Sequence, residues 1–255
     1  CRRQAEYIRT LDDTRPITSA LPALFEEFIP LLAEKGFEKM FDFLGGEQPD
    51  PEKDRWGTVT APFGEPLDVF GYNYLVKRYD DDGEKFPERV ICGTETFPHW
   101  AFTFWDKTRR LPYVIGDFVW TALDYLGEAG IGQVSFDGSM MTAAPYPYHL
   151  ANCGDFDICG FKRPQSYFRD ILWGVREAPF IAVLDPQHYG KDVSFNPWGW
   201  EPVSDSWTFP GQEGQTTQVY VYSADDEVDL LINGVSVGRK KAGAASQNKV
   251  IFEVP

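Results

Sequence analysis

Three segments of this chain begin with apolar residues and end in polar or aromatic ones: LDVFGYNY at 67–74, RVICGTET at 89–96 and YVIGDFVW at 113–120. Each predicts a strand buried on both faces, because a near-continuous apolar run leaves no solvent-facing alternation. A shorter apolar run at 17–21 follows a polar, helix-prone stretch at 2–12, a helix-to-strand step broken by Asp12-Asp13-Thr14-Arg15-Pro16. Residues 23–44 carry apolar side chains at mixed helical spacing, and Pro30 and Gly36 predict one kinked helix or two short ones. Residues 47–65 read as a charged, Pro/Gly-punctuated loop. The charge run at 78–85 reads as a solvated face, and 97–110 as an aromatic, helix-compatible connection. Strand, excursion, strand is the rhythm of parallel β/α units.

The pattern changes towards the end of the chain. Residues 166–175 predict a helix, and 180–184 one more strand or an edge. Residues 216–223, 227–232 and 249–254 then alternate with period two, and Asn233-Gly234 marks a tight hairpin turn. An all-β module follows the α/β part, with the composition shifting at 195–200. About five strands fit where an immunoglobulin-like sandwich uses about seven, so the sandwich reads as cut short.

Composition narrows the function classes. A net charge of −15 and a pI near 4.6 exclude a phosphate-binding surface, so no nucleic-acid partner is expected and neutral substrates suit the chain better. No run approaches the roughly eighteen apolar residues of a bilayer span, so no membrane partner is expected. The four cysteines are too few and too irregular for a disulfide framework; Cys153 and Cys159 are near enough in sequence to pair, but free thiols are expected. His99, His149 and His188 show no ligand spacing, so no metal site is read.

In a β/α barrel the reactive groups stand at the C-terminal strand ends. Here those ends carry Tyr72, Asn73 and Tyr74, then Glu95, then Trp120 with Asp117 nearby. Hydrolysis of a glycoside with retention needs a fixed carboxylate nucleophile, and a phenol or amide beside it would hold it. Tyr74 and Tyr72 compete for that place. An indole offers a flat apolar face to a sugar ring. Taken alone, each of these residues reads equally as packing or hydrogen bonding.

Taken together, DDTRPIT at 12–18, LDVFGYNY at 67–74, GTET at 93–96 and GDFVWTALDYLGEAGIG at 116–132 resemble glycoside hydrolase family 2 in its β-galactosidase branch. The tail with WTFPGQEG and VYVYSADDEVDLLINGVSVG is similar to the sandwich that follows the barrel in that family. The resemblance implies the C-terminal part of a (β/α)8 TIM barrel, strands five to eight, over residues 1–195, and an incomplete immunoglobulin-like β-sandwich over 196–255. It implies Glu95 as nucleophile, with Asn73 and Tyr74 beside it and Trp120 lining the sugar site; by position alone, Tyr72 and His99, just after the Glu95 strand, are further substrate-binding candidates. Asp117, Asp124 and Glu128 are expected in supporting or capping roles, and His149 and Asp155 lie far from any motif. The family's acid/base belongs to an Asn-Glu pair upstream of the DDTRP segment, and no such pair occurs in these 255 residues. Pairing with a missing barrel half, or self-association, is therefore expected. No cofactor is required, and the resemblance allows Mg²⁺ or Na⁺.

Overall fold

The computed structural model describes residues 1–24, 41–45, 54–140 and 143–255. Most of the helical run expected over 23–44, and the first part of the loop expected over 47–65, lie outside the described residues. The chain forms two compact units, one of residues 1–97 with 103–119 and one of 98–102 with 120–255.

The first unit is built on a four-stranded parallel sheet in the order β1-β2-β3-β4, from β1 (Thr18–Leu21), β2 (Val69–Asn73), β3 (Ile91–Thr96) and β4 (Val114–Val119). All five residues of β2 are buried, as the apolar pattern requires. The helices α1 (Arg2–Leu11), α2 (Arg55–Gly64), α3 (Tyr79–Lys85) and α4 (Ala101–Arg110) intervene between the strands or precede them.

Two expectations fail in this unit. The second part of the supposed loop is the helix α2, although it contains Pro62 and two glycines. The Asp54 carboxylate caps it by accepting from the Gly57 N–H at 2.8 Å, and Trp56 anchors it in the core, its indole donating to the Pro22 carbonyl at 2.8 Å. Tertiary burial here overrides poor propensity. The charge run at 78–85 is solvated only in part, since Arg78 and Asp82 are 5% and 1% exposed. Arg78 bridges Asp82 through two nitrogens at 2.7 and 3.0 Å and reaches Asp54 at 3.0 Å, with its guanidinium 4.4 Å from the centre of the Trp56 ring. Tyr72 donates to the same Asp82 at 2.8 Å, and Arg89 reaches the Tyr72 hydroxyl at 3.1 Å while lying over Phe70 and Phe86. Around this charged group pack Trp56, Phe70, Tyr72, Tyr79 and Phe104, with ring centroids 5.2 to 6.2 Å apart.

In the second unit, β5 (Phe180–Leu184), β6 (Val203–Ser204), β7 (Thr217–Tyr222) and β10 (Lys249–Val254) form an antiparallel sheet ordered β10-β7-β5-β6. The hairpin of β8 (Glu227–Ile232) and β9 (Val235–Lys241) turns at Asn233 and Gly234, both with positive φ, 51° and 81°. Val183, Val219, Val221, Val228, Leu230, Val250 and Phe252 fill one core between hairpin and sheet. The strand at Phe180–Leu184, expected inside the 1–195 segment, pairs antiparallel along β7, so this sheet includes residues from before position 196.

Helix α5 (Pro164–Leu172) packs on that sheet through Phe168, whose ring lies 5.3 Å from Trp200 and 5.2 Å from Tyr222. The long connection ahead of α5 is held by buried ion pairs. Asp124 accepts from Arg163 at 2.8 Å and from the Asn152 N–H at 2.9 Å, and Asp155 accepts from Arg169 at 3.0 Å. All four cysteines are free. Burial, with Asp124 next in effect, pushes the Cys153 thiol up to about 12.

Replacing Asp82 by Ala leaves Arg78 buried with one of its two carboxylate partners gone, which is expected to cost the first unit about 3–5 kcal/mol. Denaturant unfolding followed by circular dichroism checks it, and a loss under about 1 kcal/mol would show the network to be dispensable.

Candidate active site

The C-terminal ends of β2 and β3 meet at one carboxylate. Asn73 pairs opposite Glu95 across a register shift between Tyr72 and Asn73. The Asn73 amide donates to Glu95 Oε1 at 2.8 Å, and the Tyr74 hydroxyl donates to Glu95 Oε2 at 2.8 Å. Each carboxylate oxygen thus accepts one bond and keeps lone-pair capacity for a second.

Tyr74 reaches that position through an uncommon backbone. Its φ of 64° lies in the left-handed region, where a bulky aromatic is rarely found, so the surroundings must hold it there. Its N–H donates to the Glu95 carbonyl at 2.7 Å, and its ring stacks on Phe97 with centroids 4.2 Å apart. Asn73 is oriented from the other side, since the Thr94 hydroxyl donates to its carbonyl oxygen at 2.7 Å. Along the same edge Thr96 donates to Asp117 at 2.9 Å. Asn73 and Tyr74 are nearly buried, while Glu95 and Thr94 are partly exposed.

Of the residues read from sequence, Glu95, Asn73 and Tyr74 come together. Tyr72 does not join them. It is fully buried, its phenol is spent on Asp82 and Arg89, and burial followed by the Asp82 charge raises its pKa. The competition between the two phenols for Glu95 is settled by that commitment, and Tyr72 packs beneath the site.

Trp120 and His99 belong to the second unit. The half-buried Trp120 indole donates to the Tyr125 hydroxyl at 3.2 Å, and Tyr125 in turn bonds Glu128. His99, expected to contact substrate, packs edge-on against Phe195 at 5.0 Å and Trp200 at 5.9 Å, and its Nδ1 is buried without a hydrogen-bond partner. Burial lowers its pKa, against a raising effect from Glu201. Asp124 and Asp155 are structural ion-pair partners, as above. The exposed His149 ring bonds the Pro147 carbonyl at 3.0 Å. Sequence reading missed Thr94 and Phe97; the signal for Thr94 was its place directly before Glu95 on the same strand. Among the described residues no group of three or more His, Cys, Asp or Glu converges to hold an ion.

The relatives of this chain are glycoside hydrolases. A putative beta-glucuronidase of Formosa agariphila is 32% identical over 189 residues, covering 73% of this chain and 15% of its own length. Beta-galactosidase BoGH2A of Bacteroides ovatus is 24% identical over 83% of this chain and 27% of its own. The crystal structure of a glycosyl hydrolase family 2 member from Bacteroides cellulosilyticus superposes on the whole chain with a TM-score of 0.72 and 34% identity, this chain covering 29% of it. A domain family described as being of unknown function, DUF4982, matches residues 214–255. The chain belongs to glycoside hydrolase family 2. It spans about a sixth to under a third of the length of these relatives.

The His99 environment carries a pH dependence of defined sign. Because its pKa is lowered on folding, the contribution is fully present above the unfolded value near 6.5 and is lost as pH falls below it. His188, also lowered by burial, adds in the same direction. Thermal midpoints read at pH 7.5 and 5.0 should therefore fall on acidification, and His99→Phe should reduce that fall; an unchanged fall would place the acid sensitivity elsewhere.

Proposed function

We propose that this chain supplies the nucleophile of a retaining exo-β-glycosidase, with terminal β-galactosides as the first substrate class. The observation that carries the reading is the Glu95 carboxylate held at 2.8 Å on both oxygens by Asn73 and Tyr74. In this reaction a Glu95 oxygen attacks the anomeric carbon as the bond to the leaving oxygen breaks, giving a covalent glycosyl ester. A second carboxyl group protonates the leaving oxygen and then takes a proton from the water that hydrolyses the ester. Retaining enzymes hold the two carboxyls about 5–5.5 Å apart. The family resemblance puts that acid/base outside these residues, so the isolated chain is expected to be inactive.

The four parallel strands fit strands five to eight of a (β/α)8 barrel. The sheet order leaves β1 and β4 at its two edges, and Ile115 and Phe118 on β4 are 58% and 66% exposed. Unpaired edges with exposed apolar side chains favour coverage by the other barrel strands, or by a second copy. Trp120 keeps its proposed role as an apolar platform for a sugar, on the strength of its motif.

A neutral sugar is favoured because a uronate carboxylate needs a cation. In the first unit the guanidiniums of Arg78 and Arg89 are committed to Asp82 and to aromatic faces. The 32% identity to a putative beta-glucuronidase supports a glucuronidase as the second reading. β-Mannosidase specificity and a non-catalytic carbohydrate-binding role are further alternatives.

Intact-mass analysis of the full-length protein carrying this chain, after incubation with 2-deoxy-2-fluoroglycosyl fluorides of galactose, mannose and glucuronic acid, tests mechanism and sugar together. Labelling at Glu95 by the galactosyl reagent is expected, and labelling by the glucuronyl reagent alone would transfer the specificity to the second reading. Glu95→Gln is expected to lower turnover by about 10³-fold or more, and near-normal activity would overturn the assignment.

A further inference from the structure

We infer that Thr94 is a positioning residue for the nucleophile, acting through the orientation of the Asn73 amide. The inference rests on the reading of Glu95 as nucleophile. A primary amide has two faces of opposite hydrogen-bonding character, and a half-turn about its last bond exchanges them. Only one orientation suits Glu95. With Nδ2 towards Glu95 Oε1 the amide donates; with Oδ1 there, two acceptor oxygens would oppose each other. Glu95, which can only accept, selects that orientation, and the Thr94 hydroxyl anchors the second face of the amide by donating to Oδ1 at 2.7 Å.

Thr94 itself has little freedom. A Cβ added to Gly71, on the neighbouring strand β2, would stand 2.7 Å from the Thr94 methyl and would also collide with the backbone oxygen of Ser19. The bare Gly71 Cα therefore makes room for that methyl. A β-branched side chain lodged in this way has its χ1 fixed, which aims the hydroxyl at Asn73. The resulting chain runs from the Gly71 gap to the Thr94 rotamer, the Asn73 amide and Glu95 Oε1. Tyr74 holds Oε2 by a separate route through Phe97 and the strand backbone.

Two substitutions separate this role from packing. Thr94→Val preserves the branched shape against Gly71 and removes the donor; Thr94→Ser keeps the donor and removes the methyl. Both are made in the full-length protein, and both are assayed with an aryl glycoside of the sugar it turns over and with the matching 2-fluoroglycosyl fluoride. Thr94→Val is expected to lower kcat and the rate of Glu95 labelling roughly ten- to a hundredfold, the scale of leaving one buried acceptor unsatisfied, with little change in KM. Thr94→Ser is expected to recover most of the rate. Labelling of Glu95 by Thr94→Val within about twofold of the parent rate would overturn the role of Thr94 while leaving the nucleophile in place. A Thr94→Ser variant as slow as Thr94→Val would reduce Thr94 to a packing residue. Labelling of the parent at another carboxylate would overturn Glu95 and, with it, the role of Thr94.

Discussion

The register of β2 against β3 is the constraint on which the site depends. In a regular strand, consecutive side chains point to opposite faces, so Asn73 and Tyr74 could not both meet one carboxylate. They do so because the ladder shifts between Tyr72 and Asn73, and because Tyr74 turns out of the extended region at φ 64°. A slip of one residue would send Asn73 inward and bring Tyr72 outward, exchanging a neutral amide for a phenol bonded to Asp82. The shift is held from both ends by the Tyr74 N–H on the Glu95 carbonyl and by Thr94 on Asn73.

Beneath that edge, the same strand is fixed by charge. Tyr72 ends on Asp82, which Arg78 grips through two nitrogens, and Arg78 continues to Asp54 at the start of α2. Burying these charges costs desolvation, so the cluster is weak as a source of net stability. It is strong as a locator, because a bidentate fork accepts few geometries. It ties β2, α2 and α3 together at points where apolar packing alone would tolerate sliding. Trp56 and Phe70, with their faces under the two guanidiniums, supply the apolar surface that lets the charges be buried together.

The strands, and the residues that meet at Glu95, were legible in the sequence for a physical reason. Parallel strands covered on both faces are long apolar runs, and their polar C-terminal residues stand out against them, as Asn73, Tyr74 and Glu95 do. Helix α2 was not legible: RWGTVTAPFG has poor helix propensity, and its stability comes from Trp56 burial and an Asp54 cap that only the fold supplies. The burial of Arg78 was hidden for the same reason, because its partners Asp54 and Trp56 are more than twenty residues away. The five-residue run FIAVL of β5 signals burial without direction, so nothing local separates an antiparallel sandwich strand from one more parallel strand. The choice between Tyr72 and Tyr74 turned on the commitment of the Tyr72 phenol to Asp82 and on a positive φ at Tyr74, neither of which a residue type announces. His99 looked available because it follows the Glu95 strand, yet its ring packs edge-on against Phe195 and Trp200.

Asp82 and Glu95 are both clamped carboxylates of the first unit, and the difference between their partners bears on what each can do. Asp82 is held by guanidiniums. Converting such a group to a neutral species would leave buried Arg78 with Asp54 as its remaining carboxylate partner, a state that is disfavoured. Glu95 is held by an amide and a phenol, which orient it as well at 2.8 Å but carry no charge of their own. When a carboxylate becomes a glycosyl ester its negative charge disappears. Neutral donors can remain in place and bond the ester oxygens, so no buried cation is stranded as the charge is lost. A carboxylate whose charge must come and go during turnover is better served by neutral donors than by a salt bridge, and within this group Glu95 has them and Asp82 does not.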